Sequence, residues 1–188
     1  MKPESELFIL HGNSVGISVF DFFKWWSGDM LTNSVRGVLA EYIVAMALGC
    51  EEGSRLGAWN EFDLVGPDGI RVEVKSSAYL QNWHQEKLSK IVFSISPSRS
   101  YDYDSGRYVD GLKRRSDVYV FCVFECTDRR KARLSDLDQW GFYVMSTSEI
   151  NRRFGNQKTV SIGSLLKAGV QRICYTELRS SVCQAACR

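Results

Sequence analysis

The stretch DGIRVEVKSS, residues 68–77, decides how the rest of the chain is read. Val72 and Val74 suit the buried face of a strand, while Arg71, Glu73 and Lys75 alternate with them. Residues i and i+2 of a strand share a side, so a carboxylate and an ammonium stand next to each other on an element otherwise built for a core. Upstream, EFDLVG (61–66) also has the composition of a strand, and Pro67-Asp68-Gly69 is a turn sequence. The two segments predict an antiparallel hairpin. Ten residues before Glu73, on the partner strand, sits Asp63, which a suitable register brings beside it.

The segment before the hairpin, LTNSVRGVLAEYIVAMALG (31–49), predicts a helix. Thr32, Asn33 and Ser34 offer N-cap side chains, and Gly49 suits the C-terminus. Gly37, Ala40, Val44, Ala45 and Leu48 form a small, apolar stripe suited to packing on a sheet. Glu41 falls within that stripe and calls for an interior partner. Three carboxylates drawn together repel one another and resist desolvation. A divalent cation removes that conflict, because Mg²⁺ is held by carboxylates, water and substrate phosphate. Such an ion lowers the pKa of bound water and stabilises the charge of a phosphoryl transition state, while a lysine orients or helps deprotonate the attacking water.

These residues resemble the PD-(D/E)XK nucleases, the restriction-endonuclease-like superfamily. FDLV supplies the Asp63 element, VEVK supplies Glu73-x-Lys75, and RGVLAEYIVAMAL resembles the preceding helix that often carries a glutamate. The resemblance covers residues 31 to about 125. It implies an α/β fold with an αβββαβ core and a mixed central sheet flanked by helices. Asp63, Glu73 and the Val74 carbonyl are then metal ligands, Lys75 is the catalytic lysine and Glu41 an additional ligand. The implied cofactor is Mg²⁺ or Mn²⁺. Ser77 and Gln81, just past the motif, stand where polar residues reach substrate or water. Two departures are visible: Phe62 replaces the proline before the acid, and AYLQNWHQEKLS (78–89) is a poor helix where the family has one between strands.

The remaining elements fit this frame. SVFDFFKWWSGD (18–29) predicts a short aromatic helix, for core or for a dimer surface. KIVFSIS (90–96) predicts a third strand, DVYVFCVFE (117–125) a strand buried on both faces, and WGFYVMS (140–146) another strand. STSEINRRF (146–154) opens a helix, and 161–188 reads as mainly helical. The loop between, 97–116, is long enough to suggest a function. The whole chain, 1–188, is expected to be one nuclease-like domain with its core at about 31–146, an N-terminal aromatic helix and a C-terminal helical extension.

Composition narrows the function further. With 188 residues, 44% of them hydrophobic, the chain can bury a sizeable core. No run is long enough to span a bilayer, and the start lacks a signal-peptide layout, so a soluble, cytoplasmic protein is expected. The six cysteines show no C-x-x-C pair and read as thiols, buried or free, and not as disulfides. Residues 1–98 hold 8 Lys/Arg and 12 Asp/Glu, and residues 99–188 hold 16 and 10, balances of −4 and +6. That asymmetry suits a phosphate-rich partner.

Two histidines, His11 and His84, argue against a zinc hydrolase, and also against a serine hydrolase built on the G-x-S-x-G of HGNSVG (11–16). The runs KRR (113–115), RRKAR (129–133) and RR (152–153) read by default as solvated surface, with some as candidates for phosphate contacts, and Trp83 and the loop tyrosines suit base stacking or core and loop packing equally. The expected activity is metal-dependent hydrolysis of phosphodiester bonds, most readily in DNA, and the dimers common among such enzymes suggest a homodimer. A non-catalytic nucleic-acid-binding domain with the same fold is the alternative, and a salt bridge on an exposed hairpin is the plain reading of Glu73 and Lys75.

Overall fold

The computed structural model of the protein describes residues 5–50, 60–99, 101–102, 106–108 and 111–187. In chain order it contains β1 (Leu7–Leu10), β2 (Asn13–Ser18), α1 (Val19–Trp26), α2 (Asn33–Leu48), β3 (Leu64–Val65), β4 (Arg71–Ala78), β5 (Val92–Ser94), β6 (Tyr101–Asp102), β7 (Arg107–Tyr108), β8 (Val118–Phe124), β9 (Trp140–Ser146), α3 (Thr147–Phe154), β10 (Thr159–Ser161), α4 (Ile162–Lys167) and α5 (Leu178–Ala186). The central sheet has the order β3-β4-β8-β9. Its outer pairs are antiparallel and its central pair, β4 with β8, is parallel. This is the mixed α/β architecture that the sequence predicts, with helices flanking the sheet.

Alternation along β4 and β8 divides the core in two. Val72, Val74 and Ala78 share one face with Val118, Val120, Cys122 and Phe124, against Ala40, Val44 and Leu48 of α2 and Leu178 and Val182 of α5. The other face carries Tyr119, Phe121 and Val123 of β8 with Tyr143 and Met145 of β9. Phe93, Ile150, Val160 and Leu165 of the neighbouring elements cover them. Every residue of β8 is buried, as expected of a strand covered on both sides. Asp117 fastens the start of the parallel pair. Its carboxylate accepts from the Arg71 backbone N–H at 2.9 Å and from the Arg71 guanidinium at 2.6 and 3.1 Å, and its own N–H donates to the Arg71 carbonyl.

Local chemistry explains the boundaries. Helix α2 ends at Gly49, whose φ of 72° is the left-handed C-terminal conformation that glycine adopts without strain. Thr32 is the N-cap residue of α2 but makes no side-chain capping bond. The Pro67-Asp68-Gly69 turn closes the β3–β4 hairpin with Asp68 and Gly69 both at positive φ and the Gly66 N–H bonded to the Ile70 carbonyl.

Several elements differ from the sequence reading. The strand in 90–96 forms, but β5 pairs with β10 in a separate two-stranded sheet and not with β4. Strand β10 lies just before the tail read as helical, and its three residues are too short for a periodicity to show. No residue of α1 is buried, which excludes a core role for the aromatic run. Helix α1 follows a β1–β2 hairpin turned at His11-Gly12, where both φ values are positive. Ser14 therefore lies within a hairpin strand, not on the strand–turn–helix elbow of a hydrolase nucleophile. All six cysteines are free thiols. Residues 100, 103–105 and 109–110 of the long loop lie outside the described residues; β6 and β7 pair within it, and Ser98 bridges Lys113. Among the described residues no helix is long and apolar enough to cross a membrane.

Phe124 is fully buried against Trp140, ring centroids 5.4 Å apart. Phe124→Ala is expected to cost about 3–5 kcal/mol of unfolding free energy, read as a lower urea midpoint with an unchanged slope.

Candidate active site

Strand β3 holds only two residues, and this brevity creates the site. Leu64 pairs with Val72 and Val65 with Arg71, so the edge of β4 beyond Val72 has no ladder partner in β3. Asp63 continues the register by its backbone, donating its N–H to the Val72 carbonyl at 3.0 Å. Its side chain then takes the place of the next strand residue: Oδ2 accepts from the Val74 N–H at 2.7 Å. Alternate residues of a strand present their backbone groups to opposite edges. The carbonyl of Val74 therefore faces the same open edge as the Asp63 carboxylate, while Arg71 and Tyr79 bond towards β8.

Glu73 and Lys75 project from the face opposite Val72 and Val74. The Lys75 Nζ lies 2.5 Å from Glu73 Oε1, with the side chains 29% and 18% exposed respectively. In register beside them on β8 are Tyr119 and Phe121. Removal from water drives the Glu73 carboxyl above its usual range. Lys75 opposes that shift, and the charges of Asp63 and then Glu41 reinforce it. The Tyr119 hydroxyl is pushed up to about 12, mostly by burial and next by the Glu73 charge. Glu73 and Lys75 are thus a half-buried pair flanked by two further carboxylates, not a solvated surface bridge.

Glu41 approaches from the other face. Helix α2 packs on the Val72–Val74 side, with Ala40 and Val44 fully buried and Glu41 half-buried at the flank of that stripe. Its charge nevertheless acts on Glu73. Ser77 and Gln81 are both buried. Gln81 Nε2 donates to the Ala78 carbonyl, and Gln81 N–H to Gln85 Oε1. These two residues line a groove of about 430 Å³ with Asn33, Arg36, Ser76 and Lys90.

The donor set suits a hard divalent cation. Asp63 and the Val74 carbonyl share the open edge of β4, and the Asp63 charge acts on the Glu73 carboxylate. Among the described residues no three His, Cys, Asp or Glu side chains are grouped as a metal cage. Mg²⁺ in general keeps several waters and takes one or two protein carboxylates together with substrate phosphate.

The sequence did not single out Arg36, and it misplaced much of the positive charge. Arg114 is consumed by the carbonyls of Ile95, Gly155 and Gln157 and by Asn151. Arg115 binds the Ser98 carbonyl and Glu61, and Arg152 and Arg153 both bind Glu149. Arg129 donates to the carbonyls of Gln81 and Trp83. Arg114, Arg115 and Arg129 hold loops together and Arg152 and Arg153 pair within α3, whereas Arg130 stays exposed. Arg36 has a sequence signal only in retrospect: an arginine one turn before Ala40, on the helical face that packs on the sheet.

In metal-free protein the raised Glu73 pKa carries a defined sign. Below the ordinary glutamate value of 4.5 the group is protonated in folded and unfolded chains alike, and it costs nothing. As pH rises from there through the folded value, the unfolded chain gains from ionisation that the fold resists, and stability is lost. Glu73→Gln in EDTA is therefore expected to melt higher than wild type at pH 7, with the difference vanishing below pH of about 4. Thermal denaturation across pH measures it.

No curated protein matches the chain. A family model described as bacteriophage T4 endonuclease IV matches residues 27–164. The matched span runs from just before α2 to α4 and contains Glu41, Asp63, Glu73, Lys75 and the Arg36 groove. Because the match covers most of the chain, the protein belongs to the bacteriophage T4 endonuclease IV family, and with it to the endonucleases that act on nucleic acid.

Proposed function

We propose that the protein is a divalent-metal-dependent deoxyribonuclease of the PD-(D/E)XK type, hydrolysing phosphodiester bonds at the open edge of β4. One observation carries this reading. The Asp63 carboxylate accepts from the Val74 N–H while Glu73 and Lys75 form a half-buried pair on the same strand, beside the charge of Glu41. An exposed hairpin salt bridge has no need of two more carboxylates around it.

Asp63, Glu73 and the Val74 carbonyl would hold Mg²⁺ or Mn²⁺, with Glu41 adding negative charge to the same edge. When bound, the ion supplies an acidified water and a counter-charge for the phosphate. The chain's own contributions are orientation and charge. The Val74 N–H fixes the Asp63 carboxylate, since a side chain bonded to backbone has little rotamer freedom left. Glu73 keeps the Lys75 ammonium beside the metal-binding edge, where it can hydrogen-bond the attacking water and the non-bridging phosphate oxygens. The aromatic side chains of Tyr119 and Phe121, in register with Glu73 and Lys75, limit water around the pair and strengthen each electrostatic contact. In-line attack on phosphorus by this water, whose proton passes to solvent, would then expel the deoxyribose oxygen, which takes a proton from solvent. Ser77 and Gln81, just past the pair, belong in this reading to the substrate-contacting wall.

A plasmid-nicking assay in Mg²⁺ tests the proposal. Asp63→Ala and Lys75→Ala are each expected to lower the rate at least about a hundredfold, the scale of general acid–base and electrostatic contributions, with EDTA abolishing activity. Nicking unchanged in both variants overturns the mechanism. DNA retardation with no cleavage in any divalent metal would instead favour a non-catalytic binding domain. Glu41→Gln is expected to weaken metal affinity, raising the Mg²⁺ concentration for half-maximal rate several-fold.

A further inference from the structure

Arg36 is only 4% exposed, and among the described residues the partners of its guanidinium are all neutral. Nε donates to Ser76 Oγ at 3.2 Å, Nη1 to the Leu31 carbonyl at 3.0 Å and to Gln81 Oε1 at 3.5 Å, and Nη2 to Asn33 Oδ1 at 2.7 Å. A guanidinium has five N–H groups, so one hydrogen on Nη2 has no acceptor among those residues. Burial lowers the pKa of the group. A buried cation without a counter-charge is costly, and four neutral bonds orient it without balancing it.

The position of the group matters as much as its charge. Arg36 and Ser76 form part of the wall of the groove that also includes Asn33, Ser77, Gln81 and Lys90. Ser76 is two residues along β4 from Val74, a rise of about 7 Å, and its backbone faces the same edge as Val74 and Asp63. That step is comparable with the separation of successive phosphates on one nucleic-acid strand. Lys90 adds a second cation at the groove, and Ser76, Ser77 and Asn33 add hydroxyl and amide groups. An oriented guanidinium fork with a spare N–H matches the tetrahedral oxygens of a phosphate better than those of any neutral ligand.

We propose that the Arg36 groove is a phosphate subsite, binding the backbone phosphate next to the one cleaved at the Asp63–Glu73 edge. This rests on the reading of that edge as the place of cleavage. Arg36 acts here by contact with the substrate backbone, and the contact carries no sequence information. It sets which phosphate reaches Lys75 by fixing the strand one nucleotide away.

The test measures binding without catalysis. Affinity for a fluorescent DNA oligonucleotide is followed by anisotropy in EDTA over a range of salt, for wild type, Arg36→Met and Lys90→Met. Removing Arg36 is expected to lower affinity about tenfold, the scale of a charge-assisted hydrogen bond, and to reduce the slope of log K against log[salt] by about 1. The melting temperature of Arg36→Met should hold or rise, because a neutral side chain of similar length relieves an unbalanced buried charge. Inorganic phosphate should raise the melting temperature of wild type and not of Arg36→Met. An unchanged salt slope in Arg36→Met overturns the proposal. So does a lowered melting temperature with wild-type affinity, which would make Arg36 a strut between α2 and β4. Because no metal is present, these results are independent of the cleavage mechanism. Full nicking by Asp63→Ala and Lys75→Ala, with a lost salt increment in Arg36→Met, would remove the metal edge and leave the phosphate contact standing.

Discussion

The site depends on one substitution of partners in the sheet: the Asp63 side chain, instead of a neighbouring strand, accepts the Val74 N–H. A ladder that continued past Leu64 would occupy that donor with backbone and bury the edge. By stopping at two residues, β3 satisfies the hydrogen-bonding demand of Val74 with a carboxylate and leaves the carbonyl of Val74 facing outwards. A buried backbone donor must find an acceptor, so the same bond completes the strand and positions a charged ligand. The parallel partner β8 makes this possible, because it holds the other edge of β4 over seven consecutive residue pairs.

Charge in the protein is divided between structural and functional work, and burial separates them. Arg71, Arg114, Arg115 and Arg172 each meet a carboxylate or several carbonyls, and they tie loops and strand ends together. Their charge is spent within the fold. Arg36 is more deeply buried than most of these, yet it faces neutral acceptors. Glu73 has the opposite imbalance, a carboxylate with one lysine and two repelling neighbours. The two imbalances have opposite sign and meet β4 three residues apart, Glu73 on it and Arg36 through Ser76. In the reading proposed above, a phosphodiester with a divalent cation would neutralise both, the cation at the carboxylates and the anionic backbone at the arginine.

The hairpin, the helix before it and the buried strand were legible in the sequence because each has a short-range signature. Residues 31–49 carry a helical period closed by glycine, and 67–69 carry a turn. The run Val118–Phe124 lacks polar residues because both of its faces are covered. Strands β5 and β10 were harder: KIVFSIS has the composition of a strand, but nothing local says which strand it joins. Its partner Thr159–Ser161 is three residues long and lies beyond the whole sheet in sequence. The basic runs misled for a related reason. An arginine reads as solvated or phosphate-facing until the carbonyls around it are known, and the acceptors for Arg114 lie 19 to 43 residues away.

By itself the sequence determined the chemistry available: carboxylates at 41, 63 and 73, a lysine at 75, and the strand alternation that puts Glu73 and Lys75 on one side. It also determined the α/β class, through periods of 3.6 and 2 that depend only on neighbouring residues. Tertiary structure alone decided three things. It set the register that begins β3 only at Leu64, it placed α2 so that Arg36 reaches Ser76 while the Glu41 charge acts on Glu73, and it excluded water so that Glu73 and Arg36 became costly charges. Each of these depends on contacts between segments tens of residues apart. Desolvation is a property of the assembled core, with no trace in any short window of the chain.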